Sequence, residues 1–267
     1  MKNKIIEYLS EDIPKNAIMI NDIENGCEYR NIGYDSIDAV ATFSESGDFL
    51  YAHIRGRSSE LANELFSQIL NSVETEKEIR VIIPEDKTYI IKNSYKPRKP
   101  DIELLRLKKE NRKTFEPRYE VSVLNESDKS YIENSFHDDE RRVKSILQQL
   151  KNKNSVYGII EGDSLISMIT ILFRYPPIVM LDNGYTSKDK RGMGYVTSIL
   201  DFLVKELFDT ENFNEIQLYT SVDNNIVHSF TAKRGFEKYC KFKKFSFSSM
   251  LVKDKEVKQL DKFVLKD

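Results

Sequence analysis

One segment limits the possible folds more than any other. Residues 196–208 set Val196, Ile199, Leu200, Leu203, Val204, Leu207 and Phe208 at the spacing of a single buried helical stripe. A β-rich run over 178–186 precedes this helix, and 215–220 alternates with period two after it. A strand, a crossover helix and a second strand this close together predict a parallel βαβ pairing.

The flanking segments extend the pattern. Residues 157–161 and 165–174 read as strands joined at Gly162-Asp163, a tight hairpin signal, and helical patterns over 126–136 and 139–150 precede them. Downstream, 224–234 reads as a helix stopped by Gly235, and 236–247 as an aromatic-rich strand. The order over 118–248 predicts an α/β mixed-sheet layer sandwich.

The first hundred residues repeat the tail of that order. They offer a strand over 48–54, a helix over 58–73 with Leu61, Leu65, Ile69 and Val73 on one face, and a β-branched run over 79–83. A short helix over 85–93 and a strand over 102–107 follow, so a diverged duplication is expected. The charged, proline-bearing stretch from Lys108 to Arg118 is the linker candidate, with the boundary near 116 and domains of 1–116 and 117–267.

Composition excludes several classes of function. The 41 Lys and Arg nearly balance 43 Asp and Glu, so no global field draws in nucleic acid. Cys27 and Cys240 lie far apart with no metal-ligand spacing, which argues against a zinc site or a disulfide framework and fits a reducing cytoplasm. Acidic residues interrupt the amino terminus before a signal-length apolar run forms, and no run reaches membrane-spanning length. A protein that binds neither membrane nor nucleic acid is expected.

The loop Ser187-Lys188-Asp189-Lys190-Arg191-Gly192-Met193-Gly194 joins the 178–186 strand to the helix. Helix starts present unpaired N–H groups and a positive dipole end, so an anion binds there without a wall of lysines. Glycines at 192 and 194 allow close backbone approach, Arg191 adds a fixed charge, and Thr197 a first-turn hydroxyl. The loop matches neither GxxxxGK[ST] nor GxGxxG. It reads as a pyrophosphate cradle or as plain turn chemistry.

Here the sequence resembles the GCN5-related N-acetyltransferase (GNAT) superfamily. The family's loop motif is Arg or Gln, two residues, Gly, one residue, then Gly or Ala. Arg191-Gly192-Met193-Gly194-Tyr195-Val196 follows it through Gly194 and departs at Val196. The family's Asn ahead of a Gly-Phe pair matches Asn224 and Gly235-Phe236. The resemblance covers about half the chain and implies a GNAT-like acyl-CoA N-acyltransferase fold. It also implies acetyl-CoA, or another acyl-CoA, with its pyrophosphate on the amides of Arg191, Gly192, Met193, Gly194, Tyr195, Val196 and Thr197. The pantetheine arm would pair with Gly184, Tyr185 and Thr186, with Asn224 nearby. On this reading 1–116 is a diverged GNAT-like domain, with Arg55-Gly56-Arg57-Ser58 where a phosphate loop would lie.

Amine acylation needs a group that removes a proton from the incoming ammonium. Asp182, at the end of the strand before the loop, is the available carboxylate, and it also suits a polar strand end. Where the family places a tyrosine as general acid toward the leaving thiolate, this chain has Thr231, so an unassisted thiolate or Tyr239 is the substitute. His228, His137 and Cys240 read as a helix-surface residue, a helix-boundary residue and a small packing residue. The acceptor is a small-molecule amine or a protein amino group, and a monomer or homodimer is expected. The alternative is a catalytically inactive acyl-CoA-binding regulatory module.

Overall fold

The computed structural model describes residues 1–46, 49–72, 77–85, 101–151 and 155–247. They divide into two compact units, Met1–Glu103 with Cys240–Asp267, and Leu104–Tyr239. The boundary expected near 116 thus falls within the second unit. Its charged stretch is fastened there by hydrogen bonds from Lys113 N to Arg234 O (3.0 Å) and from the Arg118 and Tyr119 amides to Ser198 Oγ (2.6 and 3.0 Å). Charge and proline marked it as a linker, whereas the amides of Lys109, Lys113 and Arg118 are satisfied inside the unit.

The first unit opens with two helices that the sequence reading passed over, α1 (Lys2–Ser10) and α2 (Ile13–Glu24). Asp12 caps α2 by accepting from Lys15 N, and Pro14 sits in its first turn, where a missing N–H costs nothing. The strands β1 (Tyr29–Ile32), β2 (Ala39–Ser46) and β3 (Phe49–Gly56) form an antiparallel meander. Then α3 (Ser59–Ser72) crosses to β4 (Glu78–Pro84), which pairs parallel with β3. Residues 242–247 of the last strand return to pair antiparallel with β4, and Phe245 and Phe247 join the core of Leu65, Phe66 and Ile69. Of the helix expected over 85–93, residues 86–93 lie outside the described residues.

The second unit carries β5 (Ile102–Lys108), β6 (Ser122–Leu124), α4 (Lys129–Ser135), α5 (Glu140–Leu150), β7 (Val156–Glu161), β8 (Ser164–Tyr175) and β9 (Ile178–Thr186). These lead to α6 (Tyr195–Lys205), β10 (Glu215–Ser221), α7 (Asn225–Ala232) and the start of β11 (Glu237–Phe247). Its strand order is β5-β10-β9-β8-β7-β6, with β6/β7, β7/β8 and β8/β9 antiparallel and β9/β10, which α6 connects, parallel. A wide turn, Glu206–Thr210, extends α6 and buries Leu207 and Phe208.

Two cores cover the faces of this sheet. On one side Ile199, Leu200, Leu203 and Val204 of α6 pack on Ile169, Ile171, Val179 and Leu181. On the other, Ile132, Phe136, Ile146 and Leu150 pack on Val156, Leu165 and Met168. Each buried aliphatic side chain contributes about 1.5–3 kcal/mol, so α6 is held firmly with its first turn at the end of β9.

Candidate active site

The site begins with a flaw in β9. Thr170 faces Asp182 and Met168 faces Tyr185, so β8 spends one residue where β9 spends two, Asn183 and Gly184. This is a β-bulge, and Asn183 accepts its positive φ of 50°. The extra residue breaks the period-two alternation. Asp182 and Tyr185, opposite residues two apart on β8, therefore share the sheet face covered by α4 and α5. The Asn-Gly pair inside a β-rich run was the available signal, and the sequence reading did not use it.

The β9/β10 ladder ends at the pair Leu181–Leu218, although β9 continues to Thr186 and β10 to Ser221. Among the described residues no strand pairs with Gly184, Tyr185 or Thr186 on the β10 side. The Tyr185 carbonyl accepts from Ser167 Oγ (2.6 Å) and the Thr186 carbonyl from Arg191 Nε (3.3 Å). Arg191, exposed, thereby clips the loop to the strand end.

The start of α6 faces this opening. Gly194 caps the helix with φ of 93°, and Gly192 has φ of 81°, so both glycines serve a left-handed backbone. A Cβ on Gly192 would meet nothing within 4 Å, and one on Gly194 would meet only Thr197 Oγ1 at 3.5 Å. Among the described residues the N–H groups of Gly192, Met193, Gly194, Tyr195, Val196 and Thr197 donate no hydrogen bond. Unpaired amides beside open space are the physical requirement for holding a diphosphate. Thr197 Oγ1 donates to Gly194 O (2.8 Å) and keeps its lone pairs. Met193 is exposed. Val196 packs partly into the α6 core, its Cγ2 4.0 Å from where a Cβ of Gly184 would stand. Its bulk fills the gap toward Gly184 and leaves the space beside Gly192 open.

Tyr195 offers only its backbone to this site. Its ring is buried and stacks on Tyr119 with centroids 4.1 Å apart, and its hydroxyl donates to Glu161 Oε1 at 2.6 Å. That carboxylate acceptor pushes the phenol up to about 12 and also binds Lys190 Nζ at 3.0 Å. Both ends of the glycine loop are thus tied to β7.

The model of the acetyltransferase (GNAT) family matches residues 118–236. Residues 118–236 form a GNAT-family domain. Solved structures agree in fold. A GCN5-related N-acetyltransferase from Sphaerobacter thermophilus is 12% identical with a TM-score of 0.61, covering 87% of this chain and 85% of its own. One from Kribbella flavida is 9% identical with a TM-score of 0.60, covering 88% and 93%. A tandem GNAT protein from the clavulanic acid biosynthesis pathway is 9% identical with a TM-score of 0.55, covering 82% and 81%. No curated protein matches.

In this GNAT domain Asn224 caps α7, its Oδ1 accepting from Val227 N at 3.3 Å, which leaves its amide donors. Thr231 is 1% exposed and its hydroxyl donates to Val227 O at 2.7 Å. Thr231, at the position where the family places its acid, therefore has no proton to offer a leaving group. Tyr239 packs its ring under Arg106 of β5, two strands from β9. His228 lies 3.1 Å from Ser221 O through Nε2, fixing α7 to the end of β10. His137 is exposed beside Asp138. The bend at Gly235 is strictly steric, since a Cβ there would stand 2.2 Å from Asn111 O.

Asp182 is exposed to solvent on the sheet face that α4 and α5 cover. Desolvation raises its carboxyl above the usual range, against the pull of the Asn183 N–H and the Arg142 guanidinium. The sequence reading missed Arg142. Its guanidinium lies 4.5 Å from the Phe136 ring centre and 5.3 Å from that of Tyr185, and its Nε is buried without a partner. No helix among the described residues is long and apolar enough to cross a membrane, and no group of three or more His, Cys, Asp or Glu side chains among them is placed to hold a metal ion.

Proposed function

We propose that the chain is an acetyl-CoA-dependent N-acetyltransferase. The observation that carries this reading is the run of unpaired amides from Gly192 to Thr197, facing open space at the end of a strand whose edge is unpaired. Those amides and Thr197 would hold the diphosphate, and Gly184, Tyr185 and Thr186 the amide groups of the pantetheine arm, with the Asn224 side-chain amide alongside. Acetyl-CoA supplies the acyl group as a thioester, so the acceptor nitrogen bonds to the carbonyl carbon as the C–S bond breaks and the thiolate leaves. Asp182 takes the ammonium proton, directly or through one water, and its raised pKa suits a base working nearer neutrality. Alignment of the two reactants in the opening between β9 and β10 supplies much of the rate.

The first unit is read as a diverged copy without a cofactor site. In support, its α1-α2-β1-β2-β3-α3-β4 order repeats α4-α5-β7-β8-β9-α6-β10, including the parallel pair. Where α6 leaves a cradle, α3 closes one: a Cβ on Gly56 would meet Ala62 N and Ser58 O at 2.9 Å. Ser58 Oγ already caps Leu61 N at 3.3 Å.

A second reading, an acyl-CoA-binding module without turnover, is favoured by the spent hydroxyl of Thr231. Thiol release from acetyl-CoA in the presence of an amine panel separates the two. Sustained acceptor-dependent release is expected; saturable binding without release would establish the second reading.

A further inference from the structure

Arg142 has no role in holding acetyl-CoA on the reading above, yet it is poised as if for a ligand. Asp139 caps α5 through Arg142 N at 3.0 Å, which places Arg142 in the first turn of that helix. From there its side chain reaches Phe136 and Tyr185, which meet edge to face at 4.5 Å. Two aromatic contacts fix the plane of a guanidinium without satisfying any of its N–H groups.

The unmet demand is specific. Among the described residues no carboxylate lies within ion-pairing distance of this guanidinium, and its buried Nε has no acceptor. A desolvated, unpaired cation is costly unless an anion completes it. Asp182 stands on the same sheet face as Tyr185 because of the bulge, and it and Arg142 attract one another without forming an ion pair. This sheet face therefore presents a negative pole, where an ammonium would deliver its proton, and a positive fork near it.

We propose that the acceptor is an amine that also carries a carboxylate, with the carboxylate held by the Arg142 fork and the amine directed to Asp182. A planar fork pairs with a carboxylate through two parallel hydrogen bonds, which also fixes the orientation of the attached amine. This proposal rests on the acyltransfer reading for its chemistry but on separate residues for its geometry.

The test pairs carboxylated amines, the common α-amino acids and short ω-amino acids, with the amines that result from decarboxylation. Each is titrated calorimetrically into the wild-type chain, Arg142→Gln and Arg142→Lys, and acetyl-CoA is titrated into the same three proteins. At least one carboxylated amine should bind the wild type, its decarboxylated partner at least tenfold more weakly. Arg142→Gln should lose that preference, Arg142→Lys regain part of it, and acetyl-CoA affinity stay within twofold throughout. Where turnover is seen, the loss in Arg142→Gln should fall on the acceptor KM. No binding of any carboxylated amine by the wild type, or equal binding by Arg142→Gln, overturns the proposal. Loss of acetyl-CoA binding by the wild type, with the Arg142-dependent preference intact, overturns the acyltransfer reading alone.

Discussion

The Tyr195 hydroxyl donates a 2.6 Å hydrogen bond to Glu161 Oε1, tying the first residue of α6 to the last residue of β7. The glycine loop is thus preorganised from both its ends, since Glu161 also pairs with Lys190. Tyr195→Phe keeps the stacking on Tyr119 and loses the tether. Calorimetry should show acetyl-CoA binding roughly fivefold weaker while the thermal midpoint changes little. An unchanged Kd would mean that ring stacking alone holds the loop.

The two conspicuous glycine positions should behave oppositely. At Gly235 a Cβ collides with Asn111 O at 2.2 Å, so Gly235→Ala should cost about 3 kcal/mol in denaturant unfolding. At Gly192 a Cβ meets only open space, so Gly192→Ala should cost about 1 kcal/mol for its positive φ. The damage there should appear as weaker acetyl-CoA binding. Equal destabilisation by both substitutions would contradict this division.

Much of this was legible before any coordinates. The stripe from Ile199 to Leu207 specified α6, and Arg191-Gly192-Met193-Gly194 specified the loop, because local backbone chemistry decides both. Gly235 could be recognised as a stop, but not the collision with Asn111 that requires it, since that contact joins distant segments. Arg142 was invisible for the same reason: its setting is assembled from Phe136, Tyr185 and a one-residue shift at Asn183. The return of residues 242–247 to β4 is likewise a pairing that no local pattern encodes.

The acidic limb of turnover should report Asp182. Its carboxylate must be ionised to accept a proton, so kcat/KM falls as pH drops through a pKa raised by desolvation. Arg142 pulls that pKa down, so in Arg142→Gln the limb should move to higher pH. Asp182→Asn should lower kcat by roughly 10²–10⁴ and abolish the limb. A limb unmoved in both variants would assign the base elsewhere.

In the first unit two buried groups pull the pH dependence of stability in opposite directions. Burial raises Asp22 to about 7 and lowers His53 to about 3, with 4.0 Å between Asp22 Oδ2 and His53 Nδ1. Asp22 binds its proton more tightly when folded, so its contribution is full below the unfolded value of 3.8 and is lost as pH rises toward 7. His53 is held neutral when folded, so its contribution is present above 6.5 and is lost as pH falls toward 3. Between pH 4 and 6 the slopes, each about 1.4 kcal/mol per pH unit, oppose one another. Asp22→Asn should therefore make the protein lose stability on acidification across that window, and His53→Gln should make it gain. Denaturant midpoints measured at intervals of half a pH unit check both signs.

The central claim is that the amides from Gly192 to Thr197 bind the diphosphate of acetyl-CoA. Calorimetric titration of acetyl-CoA into the wild type and into Gly194→Glu, with circular dichroism confirming that both are folded, tests it most directly. A carboxylate at 194 would point into the space that the diphosphate needs, so the wild type should bind saturably and the variant not at all. Equal binding by both proteins, or none by the wild type, would contradict it.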